Sequence, residues 1–531
     1  MVRVIVFETT SRGPLRRLLP DFSAALTGLV PRMGSSVIAM SLGGLLAASS
    51  FEPLGFRVAA PVAMALLWWG IQRESRSRAP VLGLCFGLAY MLPLLWWLDE
   101  SIGTAAWLAL GTAQTLFLAI ASLGIRVVRD VPAAPLWGGL IWVSAETIRS
   151  SWPLGGMPWG RLGVTAMDTA WEPALAHLGI AGTSLLVATT GFGVAHLVLL
   201  PRRVMVLWLV IPMTIGLVAA TLPFHVPTVG SARIAVVQGG VPGDGTDLIA
   251  QHRTVTRNHL AATRRLAKSL TAQGRSVDLV VWPENATALD PARDLALSEA
   301  IGDAAVAVDA PVLVGAIVDG PRPEQAFNRG VLWSSDGIPV GSYTKANPVP
   351  FGEYIPWRPI IGDWFPRFEE IPRDMLPGNG QVPLQVNGVP VADAICFDVA
   401  YDDVLPAQVR RGARVAVVQT SNATFTGTAQ PAQQFEITRA RAVELGRDVV
   451  VASTNGVSGI ISADGLVRAR NRSRGTEVLV ETVQLRAGLT PAVRFQQQRT
   501  LAIVGGGMVG LLLAAWRYAA SRRARRASDP S

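Results

Sequence analysis

Glu284 in VVWPENA, Lys345 in SYTKANPVPFGEY and Cys396 in VADAICFDVAYDD each stand where a short β-forming run gives way to a loop. A side chain at the end of a strand is presented on a rigid support. The chain has two lysines and two cysteines, and this set takes one of each. A carboxylate, an ammonium and a thiol held together make a sulfur nucleophile with its own base and charge clamp. Free cysteine titrates near ~8.5 and a neighbouring cation lowers that value, which assigns Lys345 the task of favouring the thiolate. Glu284 is suited to take the proton from Cys396 and return it to a leaving group. The backbone N–H of Phe397 and the Lys345 ammonium are the candidate donors to an oxyanion.

Histidine is missing from this region. All five histidines lie at or before His259. His177 and His196 sit in apolar stretches, His225 follows one, and His252 and His259 read as surface residues of a helix. A Cys-His or Ser-His-Asp device would have to borrow from that helix. No paired His/Cys spacing and no glycine-rich phosphate loop is present, so no metal and no cofactor is expected. Taken singly, WPE or a cysteine after a strand is as readily structural as chemical. The signal lies in the ordered set.

The elements that must carry these residues are of two kinds. Of the 531 residues, half are hydrophobic and only 16% are charged, against about 25% in soluble domains; the mean hydropathy is +0.36. Seven apolar stretches come first, at 35–51, 57–72, 80–98, 103–127, 133–149, 173–200 and 204–223, and an eighth lies at 499–519. Several approach the ~20 residues of a spanning helix. The loops QRESRSR (72–78), RVVRD (126–130) and PRR (201–203) are basic, as are both termini, whereas SFEPLGF (50–56) and DESIG (99–103) are not. Basic loops mark the cytoplasmic side, and with eight spans the signs alternate throughout. Both termini are then cytoplasmic, and the segment holding Glu284, Lys345 and Cys396 is extracytoplasmic. The net charge of +9 is local to these flanks, which argues for membrane orientation and against nucleic acid. The division expected is a cytoplasmic segment at 1–34, a seven-span domain at 35–225, a globular domain at 229–490, a span at 499–520 and a basic tail at 521–531. The first thirty-odd residues lead into further spans, so they read as a disordered cytoplasmic tail and not as a cleaved signal. VGGGMVGLLLAA in the last span reads as close helix packing.

Within 229–490, short Val/Ile/Ala runs alternate with helical patterns, the mark of an α/β layered domain. Strands are expected at 232–238, 278–282, 311–318, 389–395, 413–421 and 448–454, helices at 246–270, 291–308 and 429–446, and a hairpin across Asp336-Gly337. Residues 351–378 break the alternation with Trp357, Ile360, Ile361, Trp364, Phe365 and Phe368. This loop either packs on the domain's own core or forms a flap in the membrane interface, where tryptophan is favoured. Glu146 and Arg149 near the end of the fifth span either pair with each other or meet a phospholipid head group. Cys85 lies in an apolar stretch, remote from Cys396, so no disulfide is expected.

WPE, then K-x-x-x-VPFGE, then a strand ending in Cys resembles the nitrilase superfamily of Glu-Lys-Cys enzymes. With its membrane flanks, VQGGVP (237–242), SNATFTG (421–427) and GGMPWGRLG (155–163), the chain resembles one branch of it over nearly its whole length, the apolipoprotein N-acyltransferase family. The resemblance implies an integral membrane α-helical domain of eight spans with an extracytoplasmic αββα sandwich, in a bacterial plasma membrane. It implies transfer of an acyl chain from a phospholipid, through a Cys396 thioester, to the α-amine of a lipoprotein's diacylglyceryl-cysteine. Glu284 carries over as base, Lys345 as charge stabiliser, Cys396 as nucleophile and Glu353 as a second carboxylate. Phe397, Asp398, Asn328, Asn422 and Phe425 fall at family-like positions near the site, and Trp159, Trp357, Trp364 and Phe365 are candidate lipid or gate contacts. Phe397-Asp398 stands where many members have Tyr-Glu, Phe425 where many have Trp, and VPGDGTD where many carry a tryptophan. Two other readings stay open: a membrane-tethered amidase, and an anchor or scaffold for a polyprenol-phosphate mannose synthase.

Overall fold

Runs of Ala, Leu, Val and Gly with almost no charge can bury backbone polar groups in a bilayer only as helices, and the first half of the chain is helical. The structure, a computed structural model, describes residues 34–199, 207–222, 224–243, 248–287, 289–362 and 366–528. The N-terminal extension to residue 33, the basic loop at 201–203, and Trp364 and Phe365 lie outside the described residues. Among the described residues, seven helices of fifteen or more residues come first: α1 Gly34–Ser49, α2 Ala59–Arg73, α3 Ala79–Leu94, α4 Thr104–Val127, α5 Ala134–Arg149, α6 Ala174–Leu199 and α7 Leu207–Thr221. Three stretches of the described chain are long and apolar enough to cross a membrane: residues 104–130, 174–199 and 496–524. The glycines of the last of these lie against α5, where a β-carbon on Gly507 would fall 2.8 Å from Ser144 Oγ.

The basic loops at 72–78 and 126–130 meet at one end of this bundle. Arg126 Nε donates to Glu74 O at 2.7 Å, Arg129 Nη1 to Gln72 O at 2.8 Å, and the Arg76 guanidinium lies 5.0 Å over the Tyr518 ring. The loops after α1 and α3 and the 150–172 stretch carry the contacts to the globular domain at the other end.

That domain is two stacked sheets with helices outside, the αββα layering that the motifs implied. In the first sheet, β1 Thr228–Gln238, β2 Leu279–Val281 and β3 Val312–Asp319 are parallel. β4 Gln325–Trp333 and β5 Pro339–Thr344 follow antiparallel across the expected turn, and β6 Asp374–Met375 pairs with β4. The second sheet centres on parallel β8 Val389–Ile395, β9 Val415–Thr420 and β10 Val449–Ser453, flanked by β7 Leu384–Val386, β11 Gly459–Ile461 and β12 Val467–Arg470. β13 Glu477–Arg486 returns to pair with β1.

Strand alternation sorts the side chains. Ile234, Val236, Leu279, Val281 and Leu313 face the inter-sheet core. Ala235, Val237, Val280, Trp282 and Val312 pack under helices α8 Leu248–Ala272 and α9 Leu295–Val308. On the far side, α10 Val404–Arg410 and α11 Gln430–Leu445 cover the second sheet, and the core under α11 is continuous with that of the membrane-type helices. The last helix, α12, spans Gln496–Ser528.

A broken helix anchors this docking. Gly179, at φ 63° and ψ −179°, opens α6 near its start, a conformation essentially restricted to glycine. The freed N–H of Ile180 donates to Glu444 Oε1 of α11 at 3.2 Å. Glu444 also pairs with Arg441, which with Arg161 grips Asp402 at 2.6 Å each. A β-carbon on Gly179 would fall 2.4 Å from Glu444 Oε1. Gly179→Ala is therefore expected to destabilise the protein by roughly 2 kcal/mol or more, read as a lowered melting temperature in detergent; an unchanged melting temperature contradicts this account of the docking.

Candidate active site

The three residues first singled out converge at the ends of strands. Glu284 follows β2 on a tight turn that passes directly over β3. A β-carbon on Gly315 would fall 2.1 Å from Pro283 O, so only glycine lets the WPE turn sit so low. Lys345 follows β5, and its backbone N–H donates to Asn328 O at 2.9 Å. Cys396 follows β8 at φ 54°, a strained value for a non-glycine residue. The single turn Cys396–Ala400 starts there, and its first N–H groups, Phe397 among them, have no acceptor within the turn.

Lys345 is 1% exposed. Its Nζ lies 2.8 Å from Glu353 Oε2 and 3.2 Å from Glu284 Oε1. Asn328 Nδ2 bridges the same two carboxylates, donating to Glu284 Oε1 at 2.7 Å and Glu353 Oε1 at 3.0 Å. Ser421 N–H donates to Glu284 Oε2 at 2.9 Å. Burial works against the charge of Lys345, but Glu284 and Glu353 outweigh it and hold its pKa well above the ordinary lysine value. The charged form is thus the favoured one.

The thiol behaves differently from the expectation of a lysine-stabilised thiolate. Burial and the charge of Glu284 push Cys396 up, and the pull of Lys345 does not compensate. Two carboxylates face one ammonium, so the sulfur senses a surplus of negative charge and rests as the thiol. Lowering a cysteine pKa takes a net positive surrounding, and Lys345 is spent on its own partners.

Asp398 fixes the turn against the lysine strand. It accepts from Tyr343 Oη at 2.6 Å, Ala346 N at 3.1 Å, and Asn347 N at 2.9 Å. Asn422, at φ 55°, donates to Gln430 Oε1 at 2.9 Å and Gln434 Oε1 at 3.1 Å, and Gln434 Nε2 reaches the Cys396 carbonyl at 3.3 Å. Tyr343, Gln434 and Ser421 were not singled out in the sequence. Two of them left a trace: Tyr343 stands in β5 two residues before Lys345, and Ser421 opens the SNATFTG stretch.

Above the nucleophile turn sits an aromatic cluster drawn from both halves of the chain. Trp159 lies 5.0 Å from Phe397 between ring centroids, and Trp97 lies 5.2 Å edge-on to Phe425. Gln433 of α11 accepts both indoles, Trp97 Nε1 at 3.1 Å and Trp159 Nε1 at 2.7 Å, and donates to Glu52 O and Leu94 O. One buried amide thus ties the membrane-type helices to the roof of the site.

Two expectations need correction. Glu146 and Arg149 do not pair, and neither reaches the surface. Glu146 Oε1 accepts Trp142 Nε1 and Leu162 N, while Arg149 donates to the carbonyls of Met157, Trp159 and Gly160. The loop carrying Trp159 has turned its backbone inward and uses both side chains to satisfy it. His259 is not a surface residue. It is fully buried, its Nδ1 donates to Val255 O at 2.8 Å, and Nε2 accepts Gly239 N–H at 3.0 Å. The aromatic loop is partly ordered on itself, with Phe351 stacked on Phe368 at 6.0 Å and Arg358 bidentate on Asp374, yet Trp357 and Ile360 stay 62% and 70% exposed.

An apolar cavity of about 610 Å³ runs from the side of α1 to this roof, lined by Leu42, Leu45, Phe51, Leu54, Trp97 and Gln433 among others. Leu42, Leu45 and Leu54 are exposed on the outside of the bundle.

Comparison with known proteins matches residues 43–193 to the family described as apolipoprotein N-acyltransferase N-terminal domain, and residues 233–489 to carbon-nitrogen hydrolase. An apolipoprotein N-acyltransferase of Mycolicibacterium smegmatis is 34% identical over 507 residues, 89% of this chain and 84% of that protein. One from Methylococcus capsulatus is 28% identical over 517 residues, 92% and 98% of the two chains. Among solved structures, a mutant of the Nesterenkonia AN1 amidase from the nitrilase superfamily is 19% identical at a TM-score of 0.34, covering 51% of this chain and 95% of that one.

Burial depresses His259 to about 4. Its neutral form is the one the fold uses, so the stability it contributes is complete above the unfolded value of 6.5 and drains away as pH falls toward 4. The loss reaches on the order of 3 kcal/mol. The melting temperature of the wild type should fall more steeply across that window than that of His259→Gln. Parallel curves would contradict a buried neutral His259.

Proposed function

The chain belongs to the apolipoprotein N-acyltransferase family, and we propose that it carries out that transfer in two half-reactions on Cys396. In the first, Glu284 takes the thiol proton as the sulfur attacks the ester carbonyl of a phospholipid. The ester C–O bond breaks, Glu284 returns the proton to the departing glycerol oxygen, and lysophospholipid leaves a thioester on Cys396. In the second, Glu284 takes a proton from the α-amine of a diacylglyceryl-cysteine at a lipoprotein's N-terminus. The nitrogen attacks the thioester, the C–S bond breaks, and the proton returns to sulfur. Lys345 and the Phe397 N–H stabilise the oxyanion in each tetrahedral intermediate. Glu353, Asn328, Asp398 and Asn422 position these groups.

The observation that carries this reading over a water-fed amidase is the apolar cavity that joins the outer flank of α1 to the aromatic roof of the site. An acyl chain fits such a lining, and a small polar amide does not need it. Burial of the roof by Trp97, Trp159, Phe397 and Phe425 would also keep water from the thioester, as transfer in preference to hydrolysis demands.

The membrane arrangement is part of the proposal. All eight apolar stretches span, the basic end carrying Arg73, Arg76, Arg126 and Arg129 faces the cytoplasm with both termini, and the catalytic domain lies outside. The meeting of the basic loops 72–78 and 126–130 at the end remote from the globular domain supports it. Trp357 and Ile360, exposed on the aromatic loop, would then rest in the lipid interface. The acceptor and donor are both bilayer-anchored, so a site at the membrane surface avoids extracting either.

Incubation with phospholipid should add one acyl chain to Cys396, seen by intact-protein mass spectrometry, with none on Cys396→Ala and roughly a hundredfold slower acylation in Glu284→Gln. Amide hydrolysis without an adduct would instead make it an amidase. Gln433→Ala, which frees both indoles of the roof, should raise free fatty acid relative to transferred acyl chains several-fold in the same assay. An unchanged ratio would remove the roof from the account.

A further inference from the structure

Between the two sheets, three buried oxygen acceptors without hydrogen-bond partners crowd one slot. Asp393 on β8 is fully buried, and neither of its carboxyl oxygens has a hydrogen-bond partner. Gln419 on the adjacent strand β9 is fully buried, and its Oε1 also lacks one. Both point into the slot left by Gly330 of β4. A β-carbon there would fall 2.3 Å from Gln419 Oε1 and 2.4 Å from Asp393 Oδ2.

The amide of Gln419 cannot turn round to relieve this. Its Nε2 donates to the carbonyl of Trp282 at 2.6 Å, two residues before Glu284. A buried carboxylate against a buried carbonyl oxygen is strongly disfavoured, and a single proton converts the contact into a good hydrogen bond. We propose that Asp393 is a neutral carboxylic acid whose hydroxyl donates to Gln419 Oε1, and that this bond positions Glu284 through the Trp282 carbonyl.

The surrounding charges agree. Burial, then the negative charge of Asp398, hold Asp393 well above the usual carboxylate range. Tyr343 on β5 is the other titratable group that senses Asp393, and its hydroxyl is committed to Asp398. The two aspartates flank the same turn yet differ in supply. Asp398 collects Tyr343, Asn347 and backbone N–H donors and faces Lys345, whereas the carboxyl of Asp393 has only the Ala394 N–H nearby, outside hydrogen-bond geometry. A proton on Asp393 also spares the nucleophile a further negative charge beside Glu284 and Glu353. Asp393 thus acts through Gln419 and is a positioning residue. The claim about positioning rests on Glu284 being the working base; the claim about the proton does not.

Two measurements on the full-length protein in detergent test it. The infrared difference spectrum of wild type against Asp393→Asn, at neutral pH and without substrate, should contain the carbonyl stretch of a protonated carboxylic acid. A carboxylate band in its place overturns the proposal whatever the enzyme's reaction is. In acyl-enzyme formation, Asp393→Ala should lower the rate about tenfold, roughly one buried hydrogen bond, and Asp393→Asn, whose amide can donate to Gln419 Oε1, should recover most of it. At alkaline pH the wild type should lose activity as Asp393 ionises, and Asp393→Asn should lack that limb. Asp393→Asn no more active than Asp393→Ala, or sharing the alkaline limb, overturns the positioning role.

Discussion

One buried cation organises the site. Lys345 is surrounded by protein, and a charge so placed is tolerable only with partners in hydrogen-bonding reach. Glu284 and Glu353 supply them, and Asn328 holds the two carboxylates at the spacing the ammonium needs. Burial first, and then the negative charge of Glu284, keep Cys396 a thiol against the pull of Lys345. Moving the proton from sulfur to Glu284 changes no net charge. It leaves the thiolate beside an ammonium that has just lost one of its two anionic partners. In the proposed reaction the nucleophile is therefore generated at the moment of attack.

The second constraint, on the proposed function, is that this polar cluster must open toward a bilayer. The roof achieves this with residues remote in sequence: Trp97 and Trp159 from the membrane-type half, Phe397 and Phe425 from the sandwich, joined by Gln433. Glu444, Asp402 and their arginines hold the same two halves together at the broken start of α6. Docking and chemistry share helix α11, so a change in how the sandwich sits on the helices moves the roof over the thiol.

What the sequence revealed follows from how local each signal is. Glu284, Lys345 and Cys396 were legible because each sits in a short motif at a strand end, and Glu353 because it falls eight residues after Lys345 in one such motif. The parallel strands, the hairpin and the three long helices of the sandwich were legible from periodicity, whereas the short β7, β12 and α10 and the ten-residue edge strand β13 were not. β7 and β12 are too short to show a period, and β13 is only half-buried along most of its length. Gln433, Gln434 and Tyr343 were not, since a polar residue on a helix or strand acquires meaning only from the element it meets. His259 went astray for the opposite reason. Its neighbours Val255, Ala262 and Leu266 form the buried stripe of α8, and a polar residue within such a stripe reads in sequence as part of the solvent face. Glu146 and Arg149, three residues apart, suggested a pair, but the loop carrying Trp159 needed both for its backbone.

The central claim is that Cys396 rests as a thiol and is ionised only by transfer to Glu284. The rate of alkylation of Cys396 by iodoacetamide in the resting protein, followed by mass spectrometry as a function of pH, tests it most directly. The account predicts negligible modification at neutral pH, with the rate still rising at strongly alkaline pH. Rapid alkylation that is already level below neutral pH would reveal a preformed thiolate–lysine pair and contradict it.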